Sequence, residues 1–98
     1  MPKHRHTVLL VEDHADTRDA FIAVADAKGL DVVTAATGHA ALWHLRDGLR
    51  PCLILLDIQM PGMDGLTFRR EQLANPAFAG IPVVVVSGGG TTVETKAA

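Results

Sequence analysis

The sequence contains a single cysteine, Cys52, so no disulfide bond can form within the chain. A cysteine-poor sequence is typical of a reducing compartment, and we expect a cytoplasmic protein. The longest apolar runs, such as residues 81–86, are far too short to cross a bilayer, and no signal-peptide core follows the basic first residues. A net charge of -2 gives no excess of basic residues for binding nucleic acid. The composition therefore predicts a domain with neither a membrane nor a nucleic acid as its partner.

What the sequence does contain is an alternation of strand and helix patterns over its 98 residues, which form one predicted domain, 1–98. Two of the predicted strands are apolar at almost every position, which is typical of strands buried on both faces of a parallel sheet. The pattern therefore predicts an α/β fold with helices on both sides of the sheet. The predicted strands are 7–11, 31–35, 53–56 and 81–86, and the predicted helices are 15–28, 38–47 and 64–73.

Apolar residues at helical spacing indicate which side of the first two helices faces the core. In the first helix they are Phe21, Val24 and Ala25. In the second they are Ala41, Leu42, Leu45 and Leu49.

Four polar side chains follow the predicted strands at the point where each strand ends: Glu12, Asp13, Asp57 and Ser87. The carboxyl ends of parallel strands lie along one edge of a sheet, so these residues should converge there. Clustered carboxylates repel one another, and a divalent cation with oxygen ligands, such as Mg²⁺, relieves that repulsion. An aspartate beside such an ion is a suitable nucleophile for phosphoryl transfer.

Three stretches carry a family resemblance: VLLVEDH, LILLDIQMPGMDG and IPVVVVSG. In this order and spacing they resemble the receiver domain (CheY-like) of bacterial two-component response regulators. The resemblance implies a doubly wound, flavodoxin-like parallel sheet of five strands in the order 2-1-3-4-5. It also implies a phosphoacceptor that takes its phosphoryl group from a histidine kinase or phosphotransfer protein in the presence of Mg²⁺.

The resemblance also implies roles for individual residues. Asp57 takes the place of the phosphoacceptor, Ser87 that of the switch hydroxyl, and Gly88 that of a small residue that leaves room for the phosphodonor. We expect phosphorylation to draw Ser87 inward and to reorder residues 88–98.

The implied metal ligands lie on both sides of the phosphoacceptor in the sequence. Asp13 takes the place of a direct Mg²⁺ ligand, and Glu12 that of the residue holding metal-bound water. Asp57 itself and the backbone carbonyl of Gln59 complete the predicted set.

One feature of the family is missing from the sequence. The family's lysine, at the end of a fifth strand, has no counterpart, and Lys96 follows Ser87 too closely to be that lysine. We therefore expect the order 2-1-3-4 without the fifth strand and helix, with residues 88–98 flexible or starting a helix at Thr91 or Thr92. The fourth strand would then be an exposed edge, and a homodimer through that edge is one expected consequence.

Two other functions share part of this residue pattern. A phosphohydrolase with an aspartyl nucleophile needs an acid two residues after it, and Gln59 cannot protonate a leaving group. We therefore predict no enzyme beyond a domain that catalyses its own phosphorylation and dephosphorylation. The alternative is a receiver-like interaction module that does not switch, or a dimerising fragment.

Several residues have simpler interpretations. We expect Asp64 to cap the third helix and Arg69 and Arg70 to lie on a solvated helix face. His14 borders the acidic pair, where a solvated position is preferred over a role in access to the site. Trp43 is a candidate exposed contact for a partner.

Overall fold

The computed structural model describes residues 6–57, 65–87 and 90–94. The elements are, in chain order, β1 (Thr7–Val11), α1 (Ala15–Ala27), β2 (Asp31–Ala35), α2 (Gly38–Arg46), β3 (Leu53–Asp57), α3 (Gly65–Ala74), β4 (Val83–Ser87) and β5 (Gly90–Glu94). Up to β4 the predicted and observed bounds agree to within two residues. Within the described residues, all helices are too short or too polar to cross a bilayer.

Strands β1 to β4 are parallel and lie in the order β2-β1-β3-β4. The chain moves outward in one direction from β1 to β2, and then in the other direction through β3 to β4. Since crossovers between parallel strands are right-handed, this reversal places α1 on one face of the sheet and α2 and α3 on the other. The predicted doubly wound α/β fold with order 2-1-3-4 is confirmed.

A fifth strand, β5, runs antiparallel to β4 and pairs Thr91 with Val86 and Thr92 with Val85. The prediction that a helix begins at Thr91 or Thr92 is therefore wrong. Only two residues, both glycine, connect β4 to β5, and a β-branched run follows them. A two-residue connection with glycine and a β-branched run are both typical of a hairpin.

The pairing of β5 also changes the expectation for the edge of the sheet. Because β5 hydrogen-bonds to β4, the fourth strand is not an unpaired edge, and the homodimer expected through it loses its structural basis. Within the described segments no parallel fifth strand occurs, because β5 runs in the opposite direction to its neighbour.

The main hydrophobic core lies between the sheet and the helices α2 and α3. Alternate residues of a strand point to one face, and Leu9, Val11, Ile54 and Leu56 contribute fully buried side chains to this face from β1 and β3. The apolar face predicted for α2 is confirmed, since Ala41, Leu42 and Leu45 are buried and Leu49 packs against them. Phe68, Phe78, Ala35 and Val83 complete the cluster.

The face of the sheet that carries α1 is covered less completely. Val8 and Leu10 of β1 are buried there, but Ala25 is the only buried residue of α1. Val24 is 56% exposed, so the predicted apolar face of α1 is wrong at this position. The helix packs mainly along β2, which leaves most of its surface in contact with solvent.

A buried polar network joins α3 to the segment that leads into β4. Arg69 donates to the side-chain oxygen of Gln72 at 2.6 Å, and Gln72 donates to the carbonyl of Phe78 at 2.6 Å. Arg69 is only 9% exposed, so the prediction that it lies on a solvated face is wrong. Its charge is tolerated because the guanidinium is hydrogen-bonded inside the protein.

Candidate functional site

Strand register brings the acidic residues of β1 and β3 together. Val11, the last residue of β1, pairs with Leu56, so the next residues along each strand, Glu12 and Asp57, lie level with each other. Asp13 follows one residue further out. The sequence prediction that these carboxylates converge at the carboxyl edge of the sheet is confirmed by their positions.

Glu12 is held in place by contacts on both its backbone and its side chain. It is 7% exposed, and its Oε2 accepts hydrogen bonds from the backbone N–H of His14 at 3.1 Å and from the imidazole Nδ1 at 2.9 Å. Its carbonyl accepts from the guanidinium of Arg18 at 2.9 Å, and its N–H donates to the carbonyl of Ala35 at 2.9 Å. The loop after β1 is therefore fixed by hydrogen bonds from β2 and α1.

Asp13 presents a buried oxygen that accepts no hydrogen bond. The Oδ1 atom is shielded from solvent and lies 3.1 Å from Nδ1 of His14. The distance between Oδ1 and Nδ1 is short enough for an ion pair, but the two atoms are not oriented for a hydrogen bond. Nδ1 lies nearer to Oε2 of Glu12. A buried carboxylate oxygen without a donor is costly, and a cation is the partner that would satisfy it.

Four residues place one potential ligand atom each within 4.8 Å of one another: Glu12, Asp13, His14 and Asp57. Around an ion whose ligands lie at about 2.1 Å, neighbouring ligands are about 3.0 Å apart and opposite ligands about 4.2 Å apart. The limit of 4.8 Å is slightly wider than this ligand sphere, so a small rotation of the side chains would let one ion contact all of them. The three carboxylates supply the hard oxygen donors that Mg²⁺ prefers.

The cluster perturbs the imidazole at its rim. The pKa of His14 is raised above its ordinary value, first by the hydrogen bond to Glu12 and then by the negative charge of Asp13, with a smaller contribution from Asp57. The His14 side chain is 71% exposed, so it lies over the cluster rather than inside it. The preferred prediction of a solvated position was correct about exposure, but it missed the contacts with both neighbouring carboxylates.

The remaining predicted site residues are described only in part. Ser87 ends β4, one residue beyond Val86, the register partner of Asp57, which places its backbone at the same edge of the sheet. Gln59, Gly88 and Asp64 lie outside the described residues.

Trp43, the candidate partner contact, lies on α2. It is 60% exposed and packs edge-on against His44, with ring centroids 5.3 Å apart.

The family model of the response regulator receiver domain matches residues 8–98. The chain belongs to this family. Among curated relatives, it is 33% identical over 94 residues to the DNA-binding response regulator MtrA of Mycobacterium bovis, covering 96% of this chain and 40% of that protein. It is 42% identical over 81 residues to a protein-glutamate methylesterase/protein-glutamine glutaminase of Anaeromyxobacter dehalogenans, covering 83% of this chain and 22% of that one. The chain thus spans well under half of these relatives.

Solved structures give the same assignment. A response regulator receiver protein from Pseudomonas putida superposes with a TM-score of 0.80 at 32% identity, covering 89% of this chain and 71% of that one. The chemotaxis protein CheY4 of Vibrio cholerae superposes with a TM-score of 0.78 at 27% identity, covering 84% and 68%. This receiver domain therefore has the fold and the acidic edge that its sequence predicts.

Proposed function

We propose that this receiver domain accepts a phosphoryl group on Asp57 from a histidine kinase or phosphotransfer protein. The observation that carries the proposal is the convergence of Glu12, Asp13 and Asp57 within 4.8 Å at the carboxyl edge of a parallel sheet. Ligands of doubly wound sheets bind at this edge, where the strand order reverses between β1 and β3.

Asp57 is suited to the acceptor role by its place in the sheet. It ends β3, a strand that pairs with β1 on one side and with β4 on the other, and its own register partner is Val86 of β4. Its side chain is half-buried. One carboxylate oxygen attacks phosphorus, the bond from phosphorus to the donor breaks, and the product is an acyl phosphate. A nucleophile fixed on a rigid strand needs little reorganisation to reach the in-line geometry of this transfer.

The described donors suit Mg²⁺: Asp13 and Asp57 would bind the ion through carboxylate oxygens, and Glu12 would hold metal-bound water. The family resemblance adds the backbone carbonyl of Gln59, which lies outside the described residues. The orphaned Oδ1 of Asp13 is the feature of the structure that favours a cation here. When bound, the ion neutralises negative charge on the phosphoryl group as it approaches three carboxylates. Arg18 and His14 keep the Glu12 loop in the conformation that faces Asp57.

Ser87 is the proposed reporter of the phosphorylated state. Its backbone lies at the end of β4, next to the register partner of Asp57, and this position supports the proposal that its hydroxyl bonds a phosphoryl oxygen. The chain then acts as a signalling domain and not as an enzyme with a separate substrate. We expect it to work in the cytoplasm, where its kinase partners present phosphohistidine.

Intact mass spectrometry after incubation with acetyl phosphate tests this proposal. One phosphoryl group should be added in the presence of Mg²⁺, and addition should fail with EDTA and in Asp57→Asn. Asp19→Asn is the matched control, since Asp19 is exposed on α1 outside the cluster. Addition to Asp57→Asn at the rate of the parent protein would contradict the assignment.

A further inference from the structure

We propose that His14 is a further ligand of this site, so that the site binds transition-metal ions such as Ni²⁺, Co²⁺ and Zn²⁺ through mixed oxygen and nitrogen coordination. The inference rests on the proposed function only in sharing its metal site. It concerns which ions the site selects, which the carboxylates alone do not decide.

The position of the imidazole nitrogen is the first support. Nδ1 lies 2.9 Å from Oε2 of Glu12 and 3.1 Å from Oδ1 of Asp13. Ligands at right angles around an ion with bonds of about 2.1 Å are separated by about 3.0 Å. The nitrogen therefore already stands where a neighbouring ligand of the same ion would stand.

The way His14 is held is the second support. Its backbone N–H donates to Oε2 of Glu12, and the residue occupies the N-cap position of α1 with an extended backbone, φ -87° and ψ 120°. The ring is thus directed over the acidic cluster by the chain as well as by its own hydrogen bond. With 71% of the side chain exposed, an ion can reach Nδ1 from solvent.

The chemistry of the ligand set gives the third support. Carboxylate and carbonyl oxygens suit Mg²⁺ and Mn²⁺, whereas imidazole nitrogen suits Zn²⁺, Ni²⁺ and Cu²⁺. Replacing the ring should therefore weaken the binding of Ni²⁺ far more than that of Mg²⁺. If the ring only held the loop after β1 in its conformation, replacing it would weaken the binding of both ions by the same factor.

The test is calorimetric titration of Ni²⁺ and of Mg²⁺ into the whole chain. All proteins carry His4→Gln and His6→Gln, because His6 lies 3.3 Å from the Sγ atom of Cys52 and would offer a second site for Ni²⁺. In this background, His14→Asn should weaken Ni²⁺ binding by about tenfold or more and change Mg²⁺ binding by less than about threefold. His39→Asn, exposed on α2, is the control and should change neither.

A direct readout accompanies the affinities. With ¹⁵N-labelled histidine, the Nδ1 resonance of His14 should shift on addition of Zn²⁺, and excess Mg²⁺ should reverse the shift by competing for the same site. The inference would be overturned if His14→Asn weakened the binding of Ni²⁺ and Mg²⁺ by the same factor, or if it left the binding of Ni²⁺ unchanged. Either result would leave the proposed function intact. Absence of Mg²⁺ binding in the parent background would instead count against the proposed function, and the Ni²⁺ comparison would still decide the role of His14.

Discussion

Replacing Asp13 with asparagine should stabilise the metal-free protein. Asp13 shares the edge of the sheet with Glu12 and Asp57, and the ligand atoms of the three lie within 4.8 Å. Two unit charges at 4.8 Å repel by about 0.9 kcal/mol in bulk water and by about 3.5 kcal/mol at an effective dielectric constant of about 20. The substitution keeps the shape of the side chain and removes its charge.

The expected gain lies toward the lower end of this range. The Asp13 side chain is 23% exposed, and Nδ1 of His14, 3.1 Å from Oδ1 of Asp13, offsets part of the repulsion when the ring is protonated. We expect the free energy of unfolding to rise by about 1 kcal/mol, which raises Tm by about 4–8 °C for a domain of this size. Thermal unfolding followed by circular dichroism, in low salt with EDTA, measures the difference.

The effects of salt and of Mg²⁺ distinguish charge repulsion from other causes of a higher Tm in Asp13→Asn. The gain should shrink at about 1 M salt, where charges are screened beyond about 3 Å. Saturating Mg²⁺ should raise the Tm of the parent protein and have much less effect on the Tm of Asp13→Asn. The difference in Tm between the two proteins should therefore shrink or change sign. The exposed Asp19→Asn should match the parent throughout. A variant no more stable than the parent in EDTA and low salt would refute the argument from repulsion.

Three further predictions concern other parts of the molecule. Gly48 has φ +111°, so Gly48→Ala should lower the free energy of unfolding measured by chemical denaturation by about 1–2 kcal/mol. The control Gly80→Ala should be nearly neutral, because Gly80 has no positive φ and no atom lies near a new Cβ. Gln72→Leu should lower the free energy of unfolding by about 2–3 kcal/mol in the same assay, since it removes one buried hydrogen bond to the guanidinium of Arg69 and another to the carbonyl of Phe78; a cost near zero would contradict this. In protein treated with EDTA, an NMR titration should show the pKa of His14 above its ordinary value and a lower pKa in Glu12→Gln. Because that pKa is raised by folding, its stabilisation is present at pH below the ordinary histidine pKa and is lost as the pH rises through the raised value.

Much of the fold was predictable because its signals are local. Strands β3 and β4 are continuous apolar runs, and glycines mark the ends of α1 and α2, where Gly29 and Gly48 adopt positive φ. From there, the rule that parallel strands present their carboxyl ends along one edge was enough to predict that Glu12, Asp13 and Asp57 meet.

The errors have a common physical origin, since each depended on contacts between distant parts of the chain. A charged residue such as Arg69 is expected in solvent, and its burial depends on Gln72 and on the segment around Phe78. A threonine after glycines suits a helix N-cap, whereas the run Thr91-Thr92-Val93 also suits a strand, and only the pairing with β4 decides between them. For His14, the exposed position was predictable, whereas its contact with Glu12 required the conformation of the loop after β1.

Identification of the phosphorylated residue tests the central claim most directly. Borohydride reduces an aspartyl phosphate to homoserine, so the protein would be incubated with acetyl phosphate and Mg²⁺, reduced, digested and sequenced by tandem mass spectrometry. The account predicts homoserine in place of Asp57 and aspartate unchanged at position 13. Homoserine at another position, or none in a folded and Mg²⁺-loaded sample, would contradict it.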